Sequence, residues 1–135
     1  MADYNQRIID EFRANGGKVP SWGGSSSLLL VHHRGAKSGV ERVNPVAYLQ
    51  DGGRYVIFAS KGGAPTNPGW YHNLKAHPET MIEVGGDTVA VTAREATGEE
   101  RERLFSAQGE KVPQFTEYQL KTSRVIPVLI LTPTG

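Results

Sequence analysis

Three cationic side chains stand close together around a short turn in the first third of the chain. Arg34, Lys37 and Arg42 fall within nine residues, and small residues separate them. Glycines in such a turn, here Gly35 and Gly39, are expected to leave backbone amides pointing outward, where they can form a concave anion site. A solvated, charged hairpin loop has the same composition. The spacing therefore leaves two interpretations, an anion site and a plain surface turn.

A second segment combines a hydroxyl, a lysine and two aromatic rings. Ser60 and Lys61 end an apolar run, a glycine- and proline-rich stretch follows, and Trp70 and Tyr71 open the next element. Glycines allow the main chain to approach a flat ligand, a helix N-terminus favours negative charge, and the rings could form a stacking wall. An ordinary strand-to-helix loop with core aromatics is the alternative. The Gly-Lys-Ser/Thr ending of a phosphate-binding loop is absent, which argues against a nucleoside triphosphate.

Other catalytic groups are excluded by composition and spacing. The chain contains no cysteine, so thiolate chemistry and cysteine-based metal sites are ruled out. His32 and His33 point to opposite faces of a predicted strand, and His72 and His77 belong to other elements, so no metal site is expected. A Gly-x-Ser-x-Gly elbow is also missing. Any redox chemistry must therefore come from a bound cofactor.

Length and charge narrow the class of protein further. The chain has 135 residues and a net charge of +1, which predicts one domain over 1–135 and argues against nucleic-acid binding. Its longest aliphatic run, 28–31, is too short for stable membrane insertion. We expect a cytoplasmic protein. Peripheral membrane contact through the N-terminal helix is an alternative, although Asp10 and Glu11 weaken attraction to anionic lipid.

The elements that would position these groups alternate between helices and hairpins. Asp3 is expected to cap an N-terminal helix over about 3–15. Asn67 and Pro68 predict the N-cap and first residue of a second helix, and Thr97 predicts a capping box. Apolar periodicity and turn residues predict helices over 70–76, 97–108 and 114–121, and strands over 28–33, 40–49, 54–60, 81–84, 89–95 and 125–131. Hairpin-dominated strands with inserted helices predict an α+β fold built on an antiparallel barrel.

Several motifs occur in an order that matches a known family. They are Gly-x-Lys-Ser-Gly-x-x-Arg at 35–42, Asp-Gly-Gly-Arg-Tyr at 51–55, Ala-Ser-Lys-Gly-Gly-Ala-Pro-x-Asn-Pro-x-Trp-Tyr-x-Asn-Leu at 59–74, His-Pro-Glu at 77–79 and Ile-Pro-Val at 126–128. Over roughly 28–133 the chain resembles the deazaflavin (coenzyme F-420)-dependent nitroreductases of actinobacteria. The resemblance implies a split antiparallel β-barrel, like the FMN-binding split barrels, that holds reduced 8-hydroxy-5-deazaflavin coenzyme.

The resemblance also implies roles for individual residues. The turn cations would meet the phosphate and oligoglutamate tail of the coenzyme, and the strand at 42–47 would follow its ribityl chain. The ring system would contact 58–61 and 69–73. The implied cofactor-binding residues are Ala36, Lys37, Ser38, Arg42, Val43, Asn44, Pro45, Val46, Ala47, Phe58, Ala59, Ser60, Lys61, Gly69, Trp70, Tyr71, His72 and Asn73. Ser60 and Tyr118 are the implied catalytic residues.

One departure from the family pattern bears on catalysis. Phe115 stands where a nitroimidazole-reducing relative carries a tyrosine, and it lacks the hydroxyl that would orient substrate or donate a proton. The prediction is an oxidoreductase passing hydride to a small planar acceptor such as a quinone, an enone or a nitro compound. The alternatives are a deazaflavin-binding or storage protein without turnover and an FMN-binding split-barrel protein. Related barrels are often dimers, so a homodimer is among the expected assemblies.

Overall fold

The computed structural model describes residues 3–19 and 27–134. The predicted connector at 21–27 and the Asp3 cap fall largely outside what is described. The elements, in chain order, are α1 Asp3–Ala14, β1 Ser27–Arg34, β2 Glu41–Asp51, β3 Arg54–Phe58, α2 Gly69–Ala76, β4 Glu79–Val84, β5 Asp87–Glu95, α3 Gly98–Lys111, α4 Gln114–Lys121 and β6 Val128–Pro133, with a 3₁₀ turn at Lys61–Gly63. Across these ranges, the helices are all too short or too polar to cross a bilayer.

The strands form a closed antiparallel barrel in the order β1-β2-β3-β6-β5-β4. This confirms the predicted fold class. Strand β1 pairs with β2 along its whole length, from Ser27↔Tyr48 to Arg34↔Glu41. The opposite seam is short, because β1 pairs with β4 only at Leu30↔Glu83 and Val31↔Ile82.

The apolar run at the start of β1 is buried on both faces, which explains why it does not alternate. Leu29 and Val31 face the barrel interior, where they join Ile57, Ile82 and Leu131. Leu28 and Leu30 face outward and are covered by α1, whose apolar side chains are Ile8, Ile9 and Phe12. A two-sided core of this kind produces a continuous aliphatic strand.

Helices α3 and α4 cover another part of the barrel exterior. Phe105 and Phe115 pack there against Phe58, Val56 and Ile130 in a second buried cluster. The rings of Phe58 and Phe115 meet edge to face with centroids 5.6 Å apart. This packing places α4 beside the segment that leaves β3.

Two predicted helix caps are wrong in detail. Helix α2 begins at Gly69 with Pro68 as N-cap residue and has no side-chain cap bond. The Asn67 side chain instead accepts a hydrogen bond from Arg124. Thr97 is the N-cap of α3, as predicted, but it makes no capping hydrogen bond. Its expected partner Glu100 is held by Arg94, so ion pairing has replaced the capping box.

The last strand begins later than predicted. Strand β6 starts at Val128, and all of Val128, Leu129, Ile130 and Leu131 are buried. Val125 is 67% exposed and lies before the strand. Pro127 lacks an amide proton and so cannot donate to a ladder, although its carbonyl accepts a hydrogen bond from the Ala59 amide.

Candidate functional site

A cleft of about 600 Å³ lies between β2, α2, α4 and the segment that follows β3. This volume is within the usual range for small-molecule and cofactor sites. Polar and apolar groups share its walls. The lining residues are Asn5, His33, Arg42, Asn44, Pro45, Val46, Ala47, Phe58, Ser60, Lys61, Pro68, Gly69, Trp70, Asn73 and Phe115.

The structure brings together more than half of the residues predicted to contact a cofactor. Those lining the cleft are Arg42, Asn44, Pro45, Val46, Ala47, Phe58, Ser60, Lys61, Gly69, Trp70 and Asn73. They come from three places in the sequence, which the pairing of β1 with β2 and the position of α2 unite. The predicted residues outside the lining are Ala36, Lys37, Ser38, Val43, Ala59, Tyr71, His72 and Tyr118.

The segment following β3 is held in place by one arginine. Arg124 donates to the carbonyl oxygens of Ala59, Ser60 and Ala64 at 3.2, 2.9 and 2.9 Å. Partial burial lowers the pKa of its guanidinium from the ordinary value. Lys61 has a φ of +49°, a backbone conformation that is uncommon for a residue with a side chain. The arginine therefore fixes an unusual backbone shape at the wall of the cleft.

The cationic turn is more tightly paired than the sequence suggested. The amides of Gly35 and Gly39 donate to the carbonyls of Val40 and Gly35, so the prediction that both point outward is wrong. The Ala36 amide donates to Asn73 Oδ1 at 3.0 Å, which joins the turn to α2. Lys37 is exposed on this turn. An anion site at this turn stays a prediction, and it now depends on positive side chains rather than on a ring of free amides.

The two aromatic residues that begin α2 have different environments. Trp70 is 7% exposed and packs in the barrel core as well as lining the cleft. Tyr71 donates a hydrogen bond to Glu95 Oε1 at 2.9 Å. Burial, with Glu95 alongside, raises the pKa of Tyr71 to about 12. Of the two residues predicted to form a stacking wall, Trp70 lines the cleft, whereas the Tyr71 hydroxyl is hydrogen-bonded to Glu95 at the end of β5.

Phe115 occupies the α4 side of the cleft. Its ring contacts that of Tyr118, with centroids 5.3 Å apart. Tyr118 itself is absent from the lining, and its carbonyl faces Gly63. Ser60, 9% exposed, does line the cleft. Of the two residues predicted to be catalytic, only Ser60 therefore lines the cleft.

Comparisons with known proteins identify the family of this chain. Residues 5–133 match the family model described as F420H(2)-dependent quinone reductase. The chain belongs to this family. An F420H(2)-dependent quinone reductase of Mycobacterium tuberculosis is 42% identical over 120 residues, which cover 87% of this chain and 78% of that protein. Family membership confirms the predicted deazaflavin-dependent reductase, with reduced coenzyme F-420 as its cofactor.

Solved structures of relatives have the same fold. An F420-H2 dependent reductase is 43% identical, with a TM-score of 0.71 over 77% of this chain and 92% of that one. A second structure, described as a domain-swapped dimer, is 36% identical, with a TM-score of 0.73 over 96% of this chain and 98% of that one. The family is named for quinone reductases, so "nitroreductase" is the looser description of this chain.

Some lining residues of this quinone reductase family member could not be assigned from the sequence. His33 was considered only as a metal ligand, yet it lines the cleft with 4% of its surface exposed. The pairing of His33 with Arg42 across β1 and β2, which places it beside a predicted cofactor-binding residue, is seen only in the structure. Asn5 and Pro68 also line the cleft. The sequence marked Pro68 only as a helix-start residue, and no pattern marked Asn5.

Proposed function

We propose that this protein passes hydride from reduced coenzyme F-420 to a quinone in the cleft between β2 and α2. The observation that carries the proposal is the combination of groups in that cleft. Arg42 and Lys61 supply positive charge, whereas Phe58, Trp70 and Phe115 supply aromatic surface. No lining residue can itself accept two electrons, so the redox group must be bound.

The residues present fit the chemical parts of the coenzyme. Its phosphate and anionic tail need cations, and the side chains of Arg42 and Lys61 are both exposed. Its hydroxyl and carbonyl oxygens need donors, which the amides of Asn44 and Asn73 provide. A flat ring needs apolar surface and open space. There is open space beside Gly69, because a Cβ atom at this position would have nothing within 4 Å.

Reduced coenzyme F-420, when bound, supplies the hydride. The work of the chain is to orient both reactants and to stabilise developing charge. We assign to the Ser60 hydroxyl a hydrogen bond to the acceptor oxygen that becomes negative. The balance is simple: one hydride and one proton, the latter taken from water, convert a quinone to a hydroquinone.

A quinone fits this cleft better than a nitro compound. Reduction of a quinone ends in an aromatic ring, so a hydrogen-bond donor at one oxygen is sufficient. Reduction of a nitro group removes an oxygen atom and requires proton delivery to it. Phe115 lines the cleft without a hydroxyl, and Tyr118 is outside the lining. These two placements support a preference for quinones.

Steady-state kinetics with reduced coenzyme and three acceptor classes test the proposal. A naphthoquinone, a cyclic enone and a nitroimidazole would each be supplied, and coenzyme oxidation followed against a protein-free background. We expect the naphthoquinone to give the highest kcat/KM. Tight coenzyme binding without any acceptor-dependent oxidation would support the storage alternative and overturn the reductase proposal.

We also propose a homodimer, supported by the relative described as a domain-swapped dimer. Light scattering after size exclusion would test it. A mass of about 29 kDa, twice the 14.7 kDa of one chain, is expected, and a monomer mass at all accessible concentrations would contradict the assembly without affecting the cleft.

A further inference from the structure

His33 lies in the middle of a hydrogen-bonded relay that ends at the cleft. The Ala36 amide donates to Asn73 Oδ1 at 3.0 Å. The Asn73 side-chain nitrogen lies 2.9 Å from His33 Nδ1, and His33 Nε2 lies 2.7 Å from Asn44 Oδ1. The relay joins the cationic turn, α2, β1 and β2, which are the elements that carry most of the lining residues.

The chemistry of the groups fixes the direction of every bond. A backbone amide can only donate, so the Asn73 oxygen faces Ala36 and its NH₂ group donates to His33 Nδ1. Nδ1 is therefore the unprotonated ring nitrogen, and Nε2–H donates to Asn44 Oδ1. With its oxygen engaged, Asn44 retains both N–H groups, and its side chain lines the cleft.

We propose that His33 is a positioning residue that orients the Asn44 amide, so that its N–H groups face an oxygen of the bound coenzyme. The inference rests on the proposed function for the identity of the ligand, but the relay itself is present in the free protein. His33 touches only Asn44 and Asn73 in this relay. Its effect on the coenzyme is therefore exerted through Asn44.

Protonation of His33 would break the Asn73 end of the relay and leave the Asn44 end in place, because Nε2–H still donates to Asn44 Oδ1. An imidazolium presents N–H at both nitrogens, so Nδ1–H would oppose the NH₂ group of Asn73. Burial lowers the pKa of His33; the hydrogen bond to Asn44 opposes that shift, and Arg42 across the strand pair and neighbouring His32 add to it. On its other side His33 borders a cleft of about 590 Å³, whose charged or titratable lining groups also include Arg34, Glu41, His77 and Glu79. The protonated ring loses the Asn73 contact that holds it in place beside Asn44, so coenzyme affinity should fall at a pH lower than the ordinary histidine value of about 6.5.

A double-mutant cycle, with coenzyme binding as the measurement, tests whether His33 acts through Asn44. The dissociation constant would be determined by fluorescence for wild type, His33→Gln, Asn44→Ala and the double variant. We expect His33→Gln to weaken binding about tenfold in the wild-type background and to have little effect when Asn44 is already alanine. Equal effects in both backgrounds would overturn the proposal, since His33 would then act independently of Asn44.

The pH dependence supplies a second readout with a matched control. The ratio of the dissociation constants of His33→Gln and wild type, measured from about pH 5 to 8, cancels titration of the coenzyme itself. The ratio should decrease towards low pH, where the wild-type ring loses its Asn73 contact but keeps its bond to Asn44. His32→Gln is the control, because His32 faces the other way and bonds to Glu83. A ratio independent of pH, or one reproduced by His32→Gln, would contradict the relay.

Nitrogen NMR of the free protein separates this inference from the proposed function. The His33 ring should be the Nε2–H tautomer near neutral pH, and the Asn44 and Asn73 amide signals should shift as it titrates. The opposite tautomer would overturn the relay whatever the ligand. If the ring behaves as expected but coenzyme fails to bind at any pH, the proposed function fails and the relay stands.

Discussion

The Arg124 guanidinium donates a hydrogen bond of 2.6 Å to the side-chain oxygen of Asn67, although 57 residues separate them in the sequence. Asn67 ends the segment that forms one wall of the cleft, and Arg124 lies between α4 and β6. The same guanidinium donates to the carbonyls of Ala59, Ser60 and Ala64. A side chain outside the cleft thus determines the course of the backbone inside it.

Substitution of Arg124 by lysine should damage both stability and coenzyme binding. An ammonium group cannot reproduce the planar fork that reaches several acceptors. Leaving carbonyl oxygens unpaired should lower the free energy of unfolding by about 2 kcal/mol. Urea denaturation and coenzyme titration would measure the two effects. Arg103→Lys is the control, because Arg103 is exposed and pairs with Asp51; a similar loss in that variant would contradict the specific role of Arg124.

Replacement of Gly63 by alanine should be more harmful than the same change at Gly52. Both glycines have positive φ angles, 85° and 63°. A Cβ atom at Gly63 would lie 2.8 Å from the Tyr118 carbonyl and 3.0 Å from Lys121 Cβ, whereas at Gly52 it would meet nothing within 4 Å. Thermal denaturation should show about 1 kcal/mol of destabilisation at Gly52 and a larger loss at Gly63. Equal losses would mean that α4 shifts freely.

The two turn cations should make different contributions to coenzyme binding. Arg42 lines the cleft, so Arg42→Ala should weaken coenzymes of every tail length. Lys37 is exposed outside it, so Lys37→Ala should weaken binding more as glutamates are added, and less at high salt. Isothermal titration with short- and long-tailed coenzymes would distinguish the two patterns. Lys111→Ala, a distant charge change at the end of α3, should leave every affinity unchanged.

Stability at high pH should depend on Tyr71. Its pKa is raised from 10 to about 12 in the folded protein, so folding favours the neutral phenol. The stabilisation is complete below pH 10 and is lost as the pH rises from 10 towards 12. The difference in unfolding free energy between wild type and Tyr71→Phe should therefore shrink over that interval. A constant difference would show that the phenol titrates normally.

The fold was accessible from the sequence because its determinants are local. Asp51-Gly52-Gly53-Arg54 predicts a hairpin, and the structure pairs Asp51 with Arg54 across the turn. The strand and helix at either side of 59–68 could likewise be placed. A local pattern does not show which distant residue a side chain will bind, however. Asn67 is of a residue type that commonly caps helices, but in the structure its side-chain oxygen accepts a hydrogen bond from Arg124, which is far away in the sequence.

The cleft could be predicted only in part for the same reason. Residues near one another in sequence, such as Ser60 and Lys61, were assigned together and line the cleft together. Tyr71 was grouped with Trp70 in the prediction. Adjacent side chains on a helix point about 100° apart, however, and the Tyr71 hydroxyl donates a hydrogen bond to Glu95. His33 was overlooked because the role proposed for it depends on hydrogen bonds to Asn44 and Asn73, which lie on two other elements, β2 and α2.

The position of β6 has a consequence for how the chain matures. It is the last strand to be synthesised, yet it lies between β3 and β5. Until residues 128–133 emerge, those two strands have no neighbour on the facing edges, and their unpaired backbone groups are open to other chains. A nascent chain therefore remains prone to self-association until its final strand arrives, and the yield of folded protein should be sensitive to changes in the half-dozen residues of β6.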